Sequence, residues 1–467
     1  MRNIQVYSSK KNQPNWLEKQ SDVPFINDEN EHEMQLIMLY GDICYQTING
    51  FGGAFTPSAA ETFFGMSKEI QDKILELIFS KNGLNYSCGR NSIGACDFSK
   101  GNYSYCDKSG DIGLKTFSIK EDEKLVIPFI LKAIKYRGEK ITLLSSPWSP
   151  PMWMKTNNSM LHGGKLKREY YSVWADYFVK YIMSYLEKGI TVDYVTVQNE
   201  PKAVQKWESC IYTSEEEKIF IRDYLYPKFL EAGLMNVKII IWDHNKERLF
   251  ERARYILADE KAREAISGIA FHWYSGDHFE NIGLCKEMFP DMELIFTEGC
   301  VELTTKTTSM AQKANQDSSD HLEASQSPWE FGECYAHDIF GDLNSGMNLY
   351  IDWNMMLNQQ GGPNHVDNFC SAPIICDTEE DKIYLQPSYC FISHFSRFIE
   401  SGSKRIAYSK YTNSLEVVAA ITPGNKKVAV IMNPTDRKIP YILKDVESNQ
   451  IAYLEAEEKS IYTLIYE

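Results

Sequence analysis

The feature that most constrains this chain is an alternation of local pattern. From about residue 47 to residue 355, short apolar or β-branched runs take turns with stretches of helical period. The strand candidates are 47–54, 85–90, 141–148, 194–200, 238–244, 268–274, 293–299 and 348–354, which makes eight. Several are near-continuous apolar runs, such as IIIW, LIFTE and GIAFHW. Such runs suit parallel strands covered on both faces. Strand–helix alternation repeated this often predicts a closed parallel barrel. An open doubly wound sheet is the competing architecture, but no GxGxxG follows the first strand and the repeats are too many for it.

The helical segments carry their own punctuation. In SKEIQDKILELIFSKNG, Ile70, Ile74, Leu77 and Ile78 share one face, and Gly83 is placed to end the helix. KREYYSVWADYFVKYIMSYLEKG has the same period and ends at Gly189. In TSEEEKIFIRDYLYPKFLEAG, Ser214 and Glu217 have capping-box spacing and Gly233 closes the segment. After about residue 385 the pattern changes to short β-type runs (RIAYSKY, LEVVAAIT, KKVAVIMN, KIPYILK, SIYTLIY) separated by turn residues, with no long helix. NIQVYSS and MQLIMLYGDICYQ, ahead of the barrel, read as further strands of that module. The fold class is therefore α/β, a (β/α)₈ TIM barrel over 46–384. An antiparallel β-sandwich side domain is built from both chain ends, 1–45 plus 385–467. The long polar stretch 301–328 follows strand seven and is expected to be a rim loop.

A chain of 467 residues is long enough for one large domain and an accessory unit. Its formal net charge of −15 argues against nucleic acid or an anionic membrane surface as partner, since both require a cationic face. Aromatic residues make up 13 %, which suits a cleft for the flat, apolar faces of sugars as well as it suits a large core. No apolar run reaches the length of a spanning helix or of a leader core, so the chain as given is expected in the cytoplasm, or outside the cell if a leader has been removed. Eleven cysteines, an odd number, fit a reducing compartment. Cys88, Cys96 and Cys106 lack the paired short spacing of a zinc site.

Barrel enzymes carry their reactive groups at the C-terminal ends of the strands. That rule selects Gln198-Asn199-Glu200-Pro201 after strand four and Thr297-Glu298-Gly299 after strand seven. A lone carboxylate at a strand end is readily explained as an ion-pair partner. Two facing one cleft need a further reason, because burying such charges is costly. Glycoside hydrolysis supplies it: one carboxyl group protonates the leaving oxygen, and the other attacks the anomeric carbon or directs water to it.

With these residues in view, the chain resembles the glucosylceramidase family of glycoside hydrolases, family 30. Matching stretches are INGFGGAFTPSAA, CDFSKGNYSYCD, LLSSPWSPPMWMKTN, VTVQNEP, GIAFHWY, FTEGC, DWNMMLNQQGGPNH and QPSYCFISHFSRFI. The resemblance implies a barrel plus a β-sandwich, retaining hydrolysis of β-linked glycosides, a carbohydrate or glycoconjugate substrate, and neither metal nor cofactor. By position it implies Glu200 as acid/base, Glu298 as nucleophile, and Asn199 as partner of the sugar 2-hydroxyl. Tyr274 would hold the nucleophile, His272 would lie by the acid/base, and Arg90 would steady the nucleophile. Asp97, Trp148, Trp353 and Asn364 would line the sugar subsite. Glu298 is then expected ionised beside Arg90 and Tyr274, and Glu200 protonated because the charge on Glu298 opposes a second ionisation.

One segment departs from the family pattern. Where an apolar residue and proline usually follow the strand-two arginine, this chain reads Arg90-Asn91-Ser92-Ile93-Gly94-Ala95. The nearest alternative keeps the mechanism and changes the sugar: a β-xylosidase, a β-fucosidase or a β-1,6-glucanase. A rival of another class is a metal-dependent barrel hydrolase using His272, Asp243 and His244, although such barrels place a histidine pair on the first strand, which here ends Gly50-Phe51-Gly52-Gly53. A third is an inactive carbohydrate-binding protein, against which the presence of both glutamates speaks.

Overall fold

The computed structural model describes residues 2–11, 13, 15–303 and 327–467. Eight strands close into a barrel of parallel pairs. They are β1 (Gly50–Ala54), β2 (Cys88–Ser92), β3 (Thr142–Ser146), β4 (Tyr194–Thr196), β5 (Lys238–Asn245), β6 (Ile266–His272), β7 (Glu293–Glu298) and β8 (Leu349–Asn354). Each falls within or against a segment read as a strand from the sequence. Cys88, Leu144, Tyr194, Ile240, Ala270, Ile295, Leu349 and Ile351 fill the interior below the site as one buried cluster. The barrel interior below the site is thus a packed apolar core. The glycines of β1 answer to crowding: a Cβ on Gly52 would lie 2.0 Å from the carbonyl oxygen of Cys88 on β2.

The second unit takes strands from both chain ends into an eleven-stranded sheet. Asn3–Lys10 pairs with Ser460–Tyr466, which pairs in turn with Lys427–Asn433. Leu36–Ile48 runs antiparallel to Ser403–Lys410 on one side and parallel to Ile439–Asp445 on the other. Ile4, Ile37, Leu39, Val417, Ile431, Leu443 and Leu464 belong to the separate core of this unit.

Three local readings change. The segment expected to be β throughout after residue 385 opens with a helix, Pro387–Ser396, whose residues are all buried. It packs against both the helix Trp329–Ser345 and the strand Ser460–Tyr466. Covered on every side, it shows no amphipathic period by which to recognise it. The helix Lys68–Phe79 stops before Gly83. That glycine serves close approach instead, since a Cβ there would lie 2.0 Å from the Leu77 carbonyl oxygen. The capping box is one residue earlier than read, formed by Thr213 and Glu216. The shift leaves Glu217 to turn inward toward β5. Gly189 and Gly233 do adopt positive φ, 81° and 72°, just past their helices. Of the expected rim loop, residues 304–326 lie outside the described residues. Among the described residues, no helix is long and apolar enough to cross a membrane.

Candidate active site

Arg90, near the end of β2, is fully buried and anchors the site. All five of its N–H groups have acceptors within reach. Nη1 donates to Glu298 Oε2 at 2.7 Å and to the Thr297 carbonyl at 3.3 Å. Nη2 donates to Asn199 Oδ1 at 2.7 Å and to Asp243 Oδ2 at 2.9 Å, and Nε to Ser146 Oγ at 3.2 Å. One guanidinium therefore ties together groups from β2, β3, β5, β7 and the turn after β4. Burial opposes its charge, but Asp243 and Glu298 outweigh that and raise its pKa further. Trp148 and Trp353 stack at 5.5 Å between centroids, with the guanidinium 4.7 Å and 5.7 Å from their rings. At 2 % and 3 % exposure they brace Arg90 and offer little open face.

Glu298 ends β7 and is held from two sides. Arg90 bonds Oε2, and the Tyr274 hydroxyl donates to Oε1 at 3.0 Å. Burial keeps the Tyr274 phenol protonated far above its usual range, with the neighbouring Cys300 adding to this, so it remains a donor. Burial also pushes the Glu298 carboxyl upward; His272 and Arg90 pull it down, and the charge of Glu200 adds to the rise.

Glu200 lies beyond β4 at φ 48°, and its amide donates to the Asp243 carbonyl at 2.9 Å. Its Oε1 faces two imidazoles, His272 Nδ1 at 3.3 Å and His244 Nδ1 at 3.4 Å. Burial resists its charge, but His244 and then His272 outweigh burial and hold Glu200 well below the carboxylate range. His272 moves the other way. Burial lowers it, yet the charge of Glu298 and the bonds to Asp243 and Glu200 lift it to about 9. The two imidazoles thus favour the carboxylate form of Glu200, and Glu200 in turn favours a charged His272. The expectation weighed repulsion between two carboxylates and not the pair of imidazoles beside one of them.

Asp243 completes the network and is the residue sequence reasoning undervalued. Its Oδ2 accepts from Arg90, Ser146 and Thr196, the last at 2.6 Å. Its Oδ1 accepts from Thr297 at 2.6 Å and faces His272 Nε2 at 3.1 Å. Trp242 and Asp243 have φ of 75° and 56°, and the register against β6 shifts between Trp242 and His244. This bulge turns Asp243 toward the lumen, where a regular strand would alternate. Glu217 supports it, accepting from the Trp242 amide at 3.0 Å while pairing with Arg252. The sequence signal was present in WDHN, a polar run closing an apolar strand.

The remaining expected residues divide. Asp97 is buried, with Oδ2 accepting from Asn368 at 3.2 Å and Oδ1 without a partner. Burial raises its pKa well above normal, and the nearby charge of Glu298 contributes. Asn364 is engaged in its own loop: Oδ1 accepts from the amides of Val366 and Asn368, and Nδ2 donates to the Asn368 carbonyl at 2.7 Å. It therefore shapes the loop that brings Asn368 to Asp97. Asn91, the departure in strand two, faces away from Arg90 and bonds Tyr181, Tyr185 and Ser145 behind the barrel. Its polarity answers to those hydroxyls. Among the described residues, the group with metal-ligand geometry is Glu200, His244 and His272, with donor atoms within 4.8 Å of one another.

Comparison with known proteins bears on this geometry. The profile described as "Glycosyl hydrolase family 30 TIM-barrel domain" matches residues 48–399, and that described as "Glycosyl hydrolase family 30 beta sandwich domain" matches residues 402–464. Lysosomal acid glucosylceramidase of Mus musculus is 33 % identical over 446 residues, 92 % of this chain and 83 % of that protein. The crystal structure of SrfJ from Salmonella typhimurium superposes with a TM-score of 0.92 at 36 % identity, over 100 % of this chain and 99 % of that one. An endo-β1,6-glucanase superposes with a TM-score of 0.85 at 26 % identity, over 99 % of each chain.

Proposed function

The chain belongs to glycoside hydrolase family 30, and on that premise we propose that it cleaves β-glucosides with retention, Glu298 acting as nucleophile and Glu200 as acid/base. One observation carries the assignment of roles. Glu298 is bonded to a fixed cation at 2.7 Å, whereas Glu200 shares a hydrogen bond of 3.3 Å with an imidazole that can supply a proton. Arg90 cannot give up its proton and so can only orient and stabilise a carboxylate. His272 can donate, so Glu200 has a proton source in direct contact.

In the first step Glu298 attacks the anomeric carbon and the bond to the leaving oxygen breaks. His272 passes a proton to Glu200, which delivers it to that oxygen and is left as a carboxylate. An ester between Glu298 and the sugar results. In the second step Glu200 removes a proton from water, the water oxygen attacks the same carbon from the opposite face, and Glu298 is released. Two inversions retain configuration. Asn199, whose amide oxygen is held by Arg90 at 2.7 Å, presents its amino side for a sugar hydroxyl. The unpartnered Oδ1 of Asp97 is a second acceptor for hydroxyl groups, since an orphan buried acceptor is costly until a ligand satisfies it.

A glucosylceramide-like substrate, sugar on an apolar aglycone, is supported by the likeness to the mouse glucosylceramidase. A second reading, cleavage of β-1,6-glucan, is supported by the end-to-end match with the endo-β1,6-glucanase. The test is a panel of aryl β-glucoside, β-xyloside, β-fucoside and β-galactoside together with glucosylceramide and β-1,6-glucan, with the product anomer read by NMR before mutarotation. Release of β-glucose first supports the mechanism; α-glucose as first product refutes it. Preferential chain cleavage of the glucan moves the substrate to the second reading.

A further inference from the structure

We propose that Glu200, His244 and His272 form an inhibitory binding site for a borderline divalent cation of the zinc class. The inhibitory half rests on the reading of Glu200 as acid/base; the binding half does not. The geometry fits a tetrahedral ion. For metal–ligand bonds of about 2.0–2.1 Å, the edge between two ligands of a tetrahedron is about 3.3 Å. Glu200 Oε1 lies 3.3 Å from His272 Nδ1 and 3.4 Å from His244 Nδ1. The three donors lie within 4.8 Å of one another, so only modest closure of the two imidazoles completes a face of the tetrahedron.

Two independent features favour an ion there. His244 Nδ1 is buried, and its neighbour Glu200 Oε1 at 3.4 Å is not aligned for a good hydrogen bond with it, an arrangement that a ligand bond relieves. His272 is oriented from behind, its Nε2 against Asp243 Oδ1 at 3.1 Å, the carboxylate–imidazole arrangement that fixes a ring for metal binding through its other nitrogen. Asp243 is itself held by Arg90 and Thr297, so the support is rigid. Two nitrogens and one carboxylate oxygen select zinc, cobalt or copper over magnesium and calcium, which prefer all-oxygen sites.

The consequence follows from what the ion displaces. The cation takes the lone pairs of Glu200 Oε1 and His272 Nδ1, on which a proton shared between them depends. Glu200 then has no proton for the leaving oxygen, and glycoside cleavage stops until the metal is removed. These are largely the residues of a metal-hydrolase reading, but the sign of the effect is opposite: a chelator raises activity.

The experiment titrates zinc chloride and cobalt chloride into the full-length, chelator-treated protein. Calorimetry reads binding, the cobalt visible spectrum reads the ligand set, and aryl β-glucoside hydrolysis reads function. One ion per chain is expected, with the visible bands of a tetrahedral nitrogen–oxygen site and no thiolate charge-transfer band. Activity should fall in step with occupancy and return with chelator. His244→Gln should weaken binding about ten- to hundredfold, and Cys300→Ser should bind as the parent does. His244→Asn provides a second variant should the first not fold. A thiolate band, or unchanged affinity in the His244 variants, overturns the site. Binding with the expected spectrum but undiminished turnover leaves the site standing and overturns Glu200 as acid/base.

Discussion

Replacing Asp243 by asparagine tests whether the site's electrostatics are organised around that buried carboxylate. The change keeps shape and removes one charge. On the Oδ2 side three donors converge, Arg90, Ser146 and Thr196, so the new NH₂ group cannot be placed there. It must turn to the Oδ1 side, where the Thr297 hydroxyl can rotate to accept and a neutral His272 can present its Nε2 lone pair. The amide is then satisfied, and the loss is chiefly the counter-charge of Arg90. Breaking a buried pair by removing one partner costs about 3–5 kcal/mol. Because Arg90 retains Glu298 and Asn199, the lower end, about 3 kcal/mol, is expected. That is a large share of the ~5–15 kcal/mol that stabilises a typical domain. The assay is urea denaturation of parent and variant followed by circular dichroism, with Asp291→Asn, which loses only an exposed pair with Arg263, as reference. Turnover should fall as well, since His272 loses the group that orients it. A loss of stability below about 1 kcal/mol would refute the claim that Asp243 is the counter-ion of Arg90.

Azide separates the roles of the two glutamates. Glu200→Ala should accumulate the glycosyl intermediate from an activated aryl glycoside and be rescued by azide as a β-glycosyl azide, whereas Glu298→Ala should yield an α-glycosyl azide; the exchanged pattern means that the roles are exchanged. Asp97→Ala should lower kcat/KM for β-glucosides by about two- to tenfold, the worth of a neutral hydrogen bond of about 0.5–1.5 kcal/mol; an unchanged kcat/KM removes Asp97 from the sugar site. His337, on the helix Trp329–Ser345, faces Asp277 and the sandwich residue Glu416 at 3.1 Å and 2.8 Å, and its bonds to these two lift its pKa to about 10. A raised folded-state pKa stabilises below the unfolded value of about 6.5 and the contribution vanishes as pH rises through about 10. The melting temperature of His337→Gln should therefore lie below the parent at about pH 6 and converge with it above about pH 10, and a gap independent of pH refutes the ion pairs as its cause.

The residues legible in the sequence were those whose signal is local. Several barrel strands, buried on both faces, are near-continuous apolar runs whatever they pack against, and with the helical stretches between them the strands could be counted. Glu200 and Glu298 stood out because each is the first charge after such a run, and the sandwich was read because its short strands are bounded by turn residues. Where a local rule had two solutions it failed by one place, as in TSEEE, where both Thr213–Glu216 and Ser214–Glu217 have capping-box spacing. Only the fold chose the first, because Glu217 is needed at the Trp242 amide.

What the tertiary structure alone decided is how charges divide and which way side chains face. The sequence by itself determined that two carboxylates stand at the ends of strands four and seven of a barrel, since that depends on periodicity and position along the chain. It did not show that the carboxylate form of Glu200 would be favoured, because this depends on two imidazoles brought to Glu200 from strands β5 and β6. Nor did it reveal Asp243 as the common partner of Arg90 and His272, because that needs a bulge at positive φ, which leaves no mark in a hydropathy pattern. Nor did it show that Asn364 holds the loop that brings Asn368 to Asp97, because those bonds join residues only once the loop has formed. Residue type and order are properties of the chain; pairing of charges in a low-dielectric cleft is a property of distance, and distance exists only once the chain has folded.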